Sequence, residues 1–175
     1  PKNCTLLGWL KDKVKNQSNE LPSVSIIIAS LNNESTIEEC LRSILNQDYP
    51  KHLLEVLVVD GGSTDSTAKL VENYSVQFES NGLNVPAAYN LAAKKVKSEV
   101  LGFIDADAKV EKDWLKKLIV DLSDSKVAAA GGNIATWNKD HLVPRCVGYE
   151  LSNRYLRLAR EVTRLATMNL LLKKK

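Results

Sequence analysis

Two carboxylates one residue apart, Asp105 and Asp107, close the run Val100-Leu101-Gly102-Phe103-Ile104. The run is short, apolar, and rich in β-branched and aromatic residues. It follows polar Lys97-Ser98-Glu99, so it reads as a buried strand that stops at the acids. Ligands of open α/β sheets gather at that end of a strand. Alternate side chains share a face only while a strand lasts, so both carboxylates reach one ligand region where the backbone leaves the extended form. Two oxygen-rich side chains at such a mouth suit a hard divalent cation that carries a phosphate-bearing substrate. An acidic doublet after a strand is also a common solvated turn or helix cap, and the pair alone does not choose.

Other residues offer related chemistry. Leu54-Glu55-Val56-Leu57-Val58-Val59-Asp60 is a second buried strand that ends in an acid, and Gly61-Gly62-Ser63-Thr64-Asp65 follows it. A glycine pair just past a strand lets backbone N–H groups approach a ligand closely. Neither Gly-x-Gly-x-x-Gly nor Gly-Lys-Ser/Thr is present, which excludes a dinucleotide fingerprint and a P-loop. Asp60 is otherwise a turn former, and Asp65 reads as a cap or first-turn acid, with Ser63 or Thr64 as the N-cap of the next helix. Ser30, Asn32 and Glu34 lie in a polar loop that follows Val24 to Ala29. They serve as helix caps or as ligand contacts. His52 and His141 have no ligand-spaced partner and read as surface residues; Cys40 reads as a small core side chain.

The elements that must position these residues follow from hydrophobic periodicity. Residues 1–21 read as a short apolar segment, Leu6 to Leu10, and a polar linker. Val24 to Ala29 is a continuous β-branched run that fits a central parallel strand buried on both faces. A helix through Ile37, Cys40, Leu41, Ile44 and Leu45 begins near Asn33 to Ser35. Further elements are a helix through Leu70 and Val71, a short strand at Ser75 to Glu79, and a helix from Val85-Pro86 to Val96 with Pro in its first turn. After the acids come a helix from Val110 to Leu122, a strand from Val127 to Asn133, a helix from Pro144 to Leu165 and a closing strand within Ala166 to Leu172. Arg154, Arg157, Arg160 and Arg164 recur on one face of that last helix. Such a face reads as solvated, or as one that meets anionic lipid or a phosphate-bearing acceptor. Strands alternate with helices, so the expected fold is α/β, a mostly parallel sheet with helices on both faces. Its polar loops, 30–34, 60–65 and 105–107, then share one edge.

Composition fits this class. The chain has 175 residues, 44% apolar and 26% charged, enough for one domain with a core. A net charge of +3 without an aromatic-studded basic ribbon argues against nucleic acid. Cys4, Cys40 and Cys146 are odd in number and widely spaced, as for free thiols in a reducing, cytoplasmic compartment. No apolar run reaches the ~20 residues that cross a bilayer. The missing initiator Met and the ending Leu170-Leu171-Leu172-Lys173-Lys174-Lys175 suggest a fragment.

Taken in order, these motifs resemble the nucleotide-sugar-binding part of inverting family-2 glycosyltransferases with the Rossmann-like GT-A fold. Val24 to Glu34 is similar to the family's first strand and Pro-Thr-Tyr-Asn-Glu type loop, with Ala29 and Leu31 in place of Pro and the aromatic. Val58 to Asp65 resembles its Asp-Asp-Gly-Ser-x-Asp segment, with Gly61 for the second acid. Asn81-Gly82 with Ala87-Ala88-Tyr89-Asn90 resembles Asn-x-Gly followed by Ala-Arg-Asn, with Tyr89 where Arg is common. Phe103 to Asp107 resembles the metal-binding Asp-x-Asp motif. Trp114-Leu115, Gly131-Gly132 and Thr167-Met168-Asn169 also sit where the family has similar residues. The resemblance spans roughly residues 22 to 172.

The resemblance implies a hexosyltransferase type of enzyme. It would move a sugar from a UDP- or GDP-sugar to a saccharide or lipid-linked acceptor, with inversion and Mg²⁺ or Mn²⁺. Asp60 would bond the nucleobase; Ser30, Asn32, Glu34, Gly61 and Asn90 would line the donor pocket. Asp105 would contact the ribose or the metal's water shell, and Asp107 would ligate the metal. In the family the general base follows the strand similar to Thr167–Leu172, so it is expected beyond Lys175, and the domain from 22 to 175 would be C-terminally incomplete. The arginine face would allow peripheral contact with the cytoplasmic face of a membrane. Two alternatives remain: a nucleotide-binding fragment without turnover, and a haloacid-dehalogenase-like phosphatase with Asp105 as nucleophile. That second family usually has Thr or Val where this chain has Lys109.

Overall fold

The computed structural model describes residues 21–136, 146, 148–150, 165–166 and 168–174. Its centre is β1 (Val24–Ser30), in which Ile26, Ile27 and Ile28 are fully buried. A strand can bury consecutive residues only when both faces are covered. β1 lies between β2 (Leu54–Asp60) and β4 (Val100–Asp105), parallel to each, and β3 (Gln77–Ser80) extends the parallel ladder beyond β2. On the other side β6 (Asn169–Lys173) runs antiparallel to β4 and to β5 (Ala129–Gly131). The order is β3-β2-β1-β4-β6-β5, a mixed α/β sheet in which β6 alone among these strands is reversed.

Period-two alternation divides the core. Ile26, Ile28, Val56, Val58, Val100 and Ile104 face α1 (Ile37–Leu45) and α4 (Trp114–Leu122), with α2 (Thr67–Val71) on the same side. Ile27, Leu57, Val59, Leu101 and Phe103 face α3 (Val85–Lys95) through Ala88, Tyr89 and Ala92. In α1 the buried residues Ile37, Cys40, Leu41 and Ile44 follow the spacing i, i+3, i+4, i+7 that lays a stripe on a sheet. In α3 Asn84 caps the helix by accepting from the Ala87 N–H, and Pro86 lies in the first turn.

Several boundaries differ from the sequence reading. Regular helix in α1 begins at Ile37, because a turn closed by Thr36 N–H on the Asn33 carbonyl precedes it. α4 begins at Trp114 rather than Val110. The Gln47 amide intervenes: its Nε2 donates to the Glu111 carbonyl at 2.8 Å and its Oε1 accepts from the Leu115 N–H at 2.9 Å, fixing 111–113 as a turn. α2 starts at Thr67 after Ser66, not after Ser63 or Thr64, whose side chains are engaged elsewhere. β5 is confined to Ala129–Gly131, and β6 runs to Lys173. The predicted segment before Leu21, Cys4, His141 and the four arginines lie outside the described residues; within the helix expected from Pro144, residues 146 and 148–150 are helical. Among the described residues no helix is long and apolar enough to cross a membrane.

Gly102 marks the tightest place in the sheet. A Cβ there would overlap Ile26 Cδ1 and stand 2.8 Å from Leu171 Cδ2, both in the fully buried core. Gly102→Ala is therefore expected to lower unfolding free energy by about 1–3 kcal/mol, the usual cost of overpacking. Urea denaturation measures it, and an unchanged midpoint would show that Ile26 and Leu171 repack freely.

Candidate functional site

The register of the parallel ladders sets the site. Ser30 pairs with Asp60, and Ala29 with Asp105, so the two acids end adjacent strands on either side of β1 at nearly one level. Two strand spacings separate them, about 10 Å. All three loops that follow these strands leave from the same edge of the sheet.

Asp60 is 1% exposed, and its carboxylate organises the loop after β2. Oδ2 accepts from Gly62 N–H at 3.0 Å, Ser63 N–H at 2.8 Å and Ser80 Oγ at 3.2 Å, while Oδ1 accepts from Ser63 Oγ at 2.5 Å. A carboxylate offers about four lone-pair sites, two on each oxygen, so Oδ1 keeps one acceptor direction open. Gly62 has φ of +96°, a left-handed turn that favours glycine. Gly61 is half-buried, and its N–H donates to the Ser30 carbonyl at 2.8 Å. A Cβ there would stand 3.2 Å from the Leu83 carbonyl and 3.7 Å from Leu31 Cβ, so the loops after β1, β2 and β3 meet at this residue.

The loops after β1 and β2 are fastened to each other. Asn32 N–H donates to Ser63 Oγ at 2.8 Å, and Asn32 Oδ1 accepts from Thr64 N–H at 2.9 Å. Asn33 N–H donates to Thr67 Oγ1 at 2.8 Å. Glu34 N–H donates to Asp65 Oδ2 at 3.0 Å, and the Glu34 carboxylate accepts from Ser66 N–H at 2.9 Å. Asp65 also accepts from the Thr67 N–H and hydroxyl, bonds that hold its carboxyl below the usual range against a desolvation that raises it. Asn32 has φ of +53°, a conformation Asn tolerates better than most residues. Asn32 and Glu34 are thus exposed, with their side chains bonded to the neighbouring loop. Ser30 is buried, and its hydroxyl donates to Asn33 Oδ1 at 3.1 Å. Asn90 is exposed on α3.

The acidic pair is less self-contained. Asp105 is half-buried at the end of β4, and Asp107 is exposed just beyond it. Burial, and then the charge of Asp107, raise the Asp105 carboxyl, while a hydrogen bond from the Tyr89 hydroxyl at 3.4 Å acts the other way. Cys40, on the opposite face, places Sγ 3.5 Å from the Asp105 carbonyl. Burial, then the charges of Asp107 and Asp105, push its thiol up to about 12, so it stays a protonated core side chain at neutral pH.

Two carboxylates are a sparse cation site. Among the described residues no three His, Cys, Asp or Glu side chains gather to hold a metal unaided. Mg²⁺ and chemically similar ions often use one or two carboxylates together with substrate phosphates and water. The donor set fits that pattern, and the mutual repulsion of Asp105 and Asp107 is what a cation would relieve.

Sequence reasoning missed several supporting residues. Ser63 and Ser80 donate to the Asp60 carboxylate, and their hydroxyls give no distinctive spacing. Tyr89 reaches Asp105 from a helix that gives little periodic signal of a polar role. Asn169 accepts from the Trp114 indole N–H at 2.7 Å and donates to the Asn133 carbonyl at 3.1 Å, joining β6, α4 and the segment after β5 beside Ile104. The Asn169–Trp114 pairing spans 55 residues, which no local pattern reveals.

Asp105 also carries a pH signature. Its folded value lies above the ordinary 3.8, so between the two values the folded protein keeps a proton that the unfolded chain has lost. Stability falls as pH rises through that window, and the loss persists above it. Asp105→Asn should therefore raise the melting temperature of the metal-free protein at pH 7 and remove that part of the pH dependence; a lower melting temperature would contradict the strain assigned to the pair. Asp60→Ala should do the reverse, costing about 1–3 kcal/mol in chemical denaturation because it removes the acceptor that ties Gly62, Ser63 and Ser80 to the end of β2. A neutral effect would mean that Gly62, Ser63 and Ser80 find other acceptors.

The sequence model of Glycosyl transferase family 2 matches residues 25–160. Glycosyltransferase AglE of Haloferax volcanii is 32% identical over 121 residues, which is 65% of this chain and 40% of AglE. The Staphylococcus aureus poly(ribitol-phosphate) β-N-acetylglucosaminyltransferase TarS is 37% identical over 99 residues, 53% of this chain and 17% of TarS. The crystal structure of TarS 1–349 with UDP-GlcNAc superposes with a TM-score of 0.61 at 28% identity, covering 69% of this chain and 36% of that one. A Pyrobaculum calidifontis mannosyltransferase in complex with GDP-Man and Mn²⁺ shares the fold, with a TM-score of 0.70 at 24% identity over 94% of this chain and 50% of that one. The chain thus spans well under two thirds of the length of AglE and TarS. On a match that covers most of its residues, the chain belongs to glycosyl transferase family 2.

Proposed function

We propose that this chain supplies the donor site of a glycosyltransferase that moves a hexose-type sugar from a nucleoside diphosphate to an acceptor hydroxyl with inversion. The observation that carries the reading is the register across β1, which puts Asp60 and the Asp105–Asp107 pair at one edge, separated by roughly the length of a nucleoside. The UDP and UDP-GlcNAc complexes of the related TarS support a uridine nucleotide as the first donor class to test.

In this reading the open direction on Asp60 Oδ1 accepts a base N–H, a bond strengthened by the carboxylate's charge. Gly61, without a Cβ, lets the base approach the backbone. Ser30 and Asn90 border the pocket, while Asn32 and Glu34 act by fixing its loops. Asp105 takes the ribose or a metal-bound water, and Asp107 holds Mg²⁺ or Mn²⁺. When bound, the cation offsets the negative charge that builds on the departing diphosphate. The acceptor hydroxyl attacks the anomeric carbon opposite that leaving group, which inverts the centre. A saccharide or lipid-linked acceptor, contact of the arginine face with a cytoplasmic membrane surface, and a general base beyond Lys175 belong to the same proposal.

Calorimetric titration of UDP tests it. Binding should require Mn²⁺ or Mg²⁺, and Asp107→Ala should weaken it at least tenfold, about 1.4 kcal/mol. Equal affinity in the variant would remove Asp107 from the site, and no UDP, GDP or nucleotide-sugar binding under any metal condition would defeat the donor-site reading.

A further inference from the structure

Tyr89 occupies an unusual position for a polar tip. Leu101, Phe103 and Asp105 alternate onto the α3 face of β4, so Asp105 is the next side chain along from Phe103 on that face. Tyr89 is 8% exposed and packs its ring edge-on against Phe103, with centroids 4.9 Å apart and planes at 68°. The same ring that rests on Phe103 delivers its hydroxyl to Asp105 Oδ1 at 3.4 Å. The aromatic contact fixes where the hydroxyl can go, because Tyr has two side-chain torsions and both are held by packing. The donor is also uncharged at neutral pH. The acidic pair therefore gains a fixed orientation from Tyr89 without being neutralised by it.

We infer that Tyr89 is a positioning residue for Asp105. Its hydroxyl holds one carboxylate oxygen, so that the other oxygen and the exposed Asp107 are presented together to a divalent cation. The inference rests on the donor-site reading above and adds to it a residue that touches neither nucleotide nor sugar.

Tyr89→Phe keeps the ring on Phe103 and deletes the hydroxyl. Two calorimetric titrations, Mn²⁺ alone and UDP in saturating Mn²⁺, should each weaken about three- to tenfold, the range for losing one hydrogen bond, with the melting temperature changed little. In an Asp105→Asn background the same substitution should have no further effect, since its partner is already altered. A purely structural role would lower stability and leave both affinities and their coupling to Asp105 untouched. The inference is overturned if Tyr89→Phe binds both probes like the parent chain, or if its effect persists undiminished in the Asp105→Asn background. If the parent chain binds Mn²⁺ but not UDP, the nucleotide reading fails and the Mn²⁺ titration alone decides on Tyr89. If it binds neither, both fall.

Discussion

The structure depends on the in-register parallel pairing of β1 with β2 and β4. Each side chain of β1 from Val24 to Ile28 is buried, so the strand cannot slip by one residue without exchanging its two faces. That constraint fixes Ser30 opposite Asp60 and Ala29 opposite Asp105. Acids 45 residues apart in the chain, Asp60 and Asp105, are brought to one edge by apolar packing rather than by any attraction between them.

The edge then divides into a rigid half and a strained half. On the Asp60 side, carboxylates and amides satisfy one another across two loops, and a buried acid accepts four hydrogen bonds while Oδ1 keeps one direction open. Such a network is stable where polar groups that lose water find partners, and the Asn81 side-chain nitrogen beside it is buried without one. At β4 the two carboxylates repel, and Asp105 has one neutral donor in Tyr89. Unrelieved charge at a partly buried position costs stability in the empty protein and favours whatever cation or proton arrives. In the proposed donor site this contrast would divide the labour, with shape recognition at the base and charge handling at the diphosphate.

Much of this was legible in the sequence because the signals were local. Continuous β-branched runs announced β1, β2 and β4, and the helical spacing from Ile37 to Ile44 announced α1. Acids at strand ends marked the edge, and with family membership shown the phosphatase reading of Asp105-Ala106-Asp107 lapses. What could not be read was long-range. The Gln47 clasp that shortens α4 joins residues 64 and 68 apart, and nothing near Val110 signals it. Asn32 and Glu34 read as helix caps or ligand contacts; their partners Thr64 and Ser66 lie 32 residues away. The reversal of β6 was equally hidden, since strand direction follows from the connection and not from the residues within the strand.

The claim on which the rest stands is that Asp60 and the Asp105–Asp107 pair grip opposite ends of one ligand. A crystal structure of the protein with UDP and Mn²⁺ tests it most directly. The account predicts the uracil against Asp60 and Gly61, with Mn²⁺ between Asp107 and the diphosphate. A nucleotide bound away from Asp60, or a metal on side chains other than Asp105 and Asp107, would contradict it.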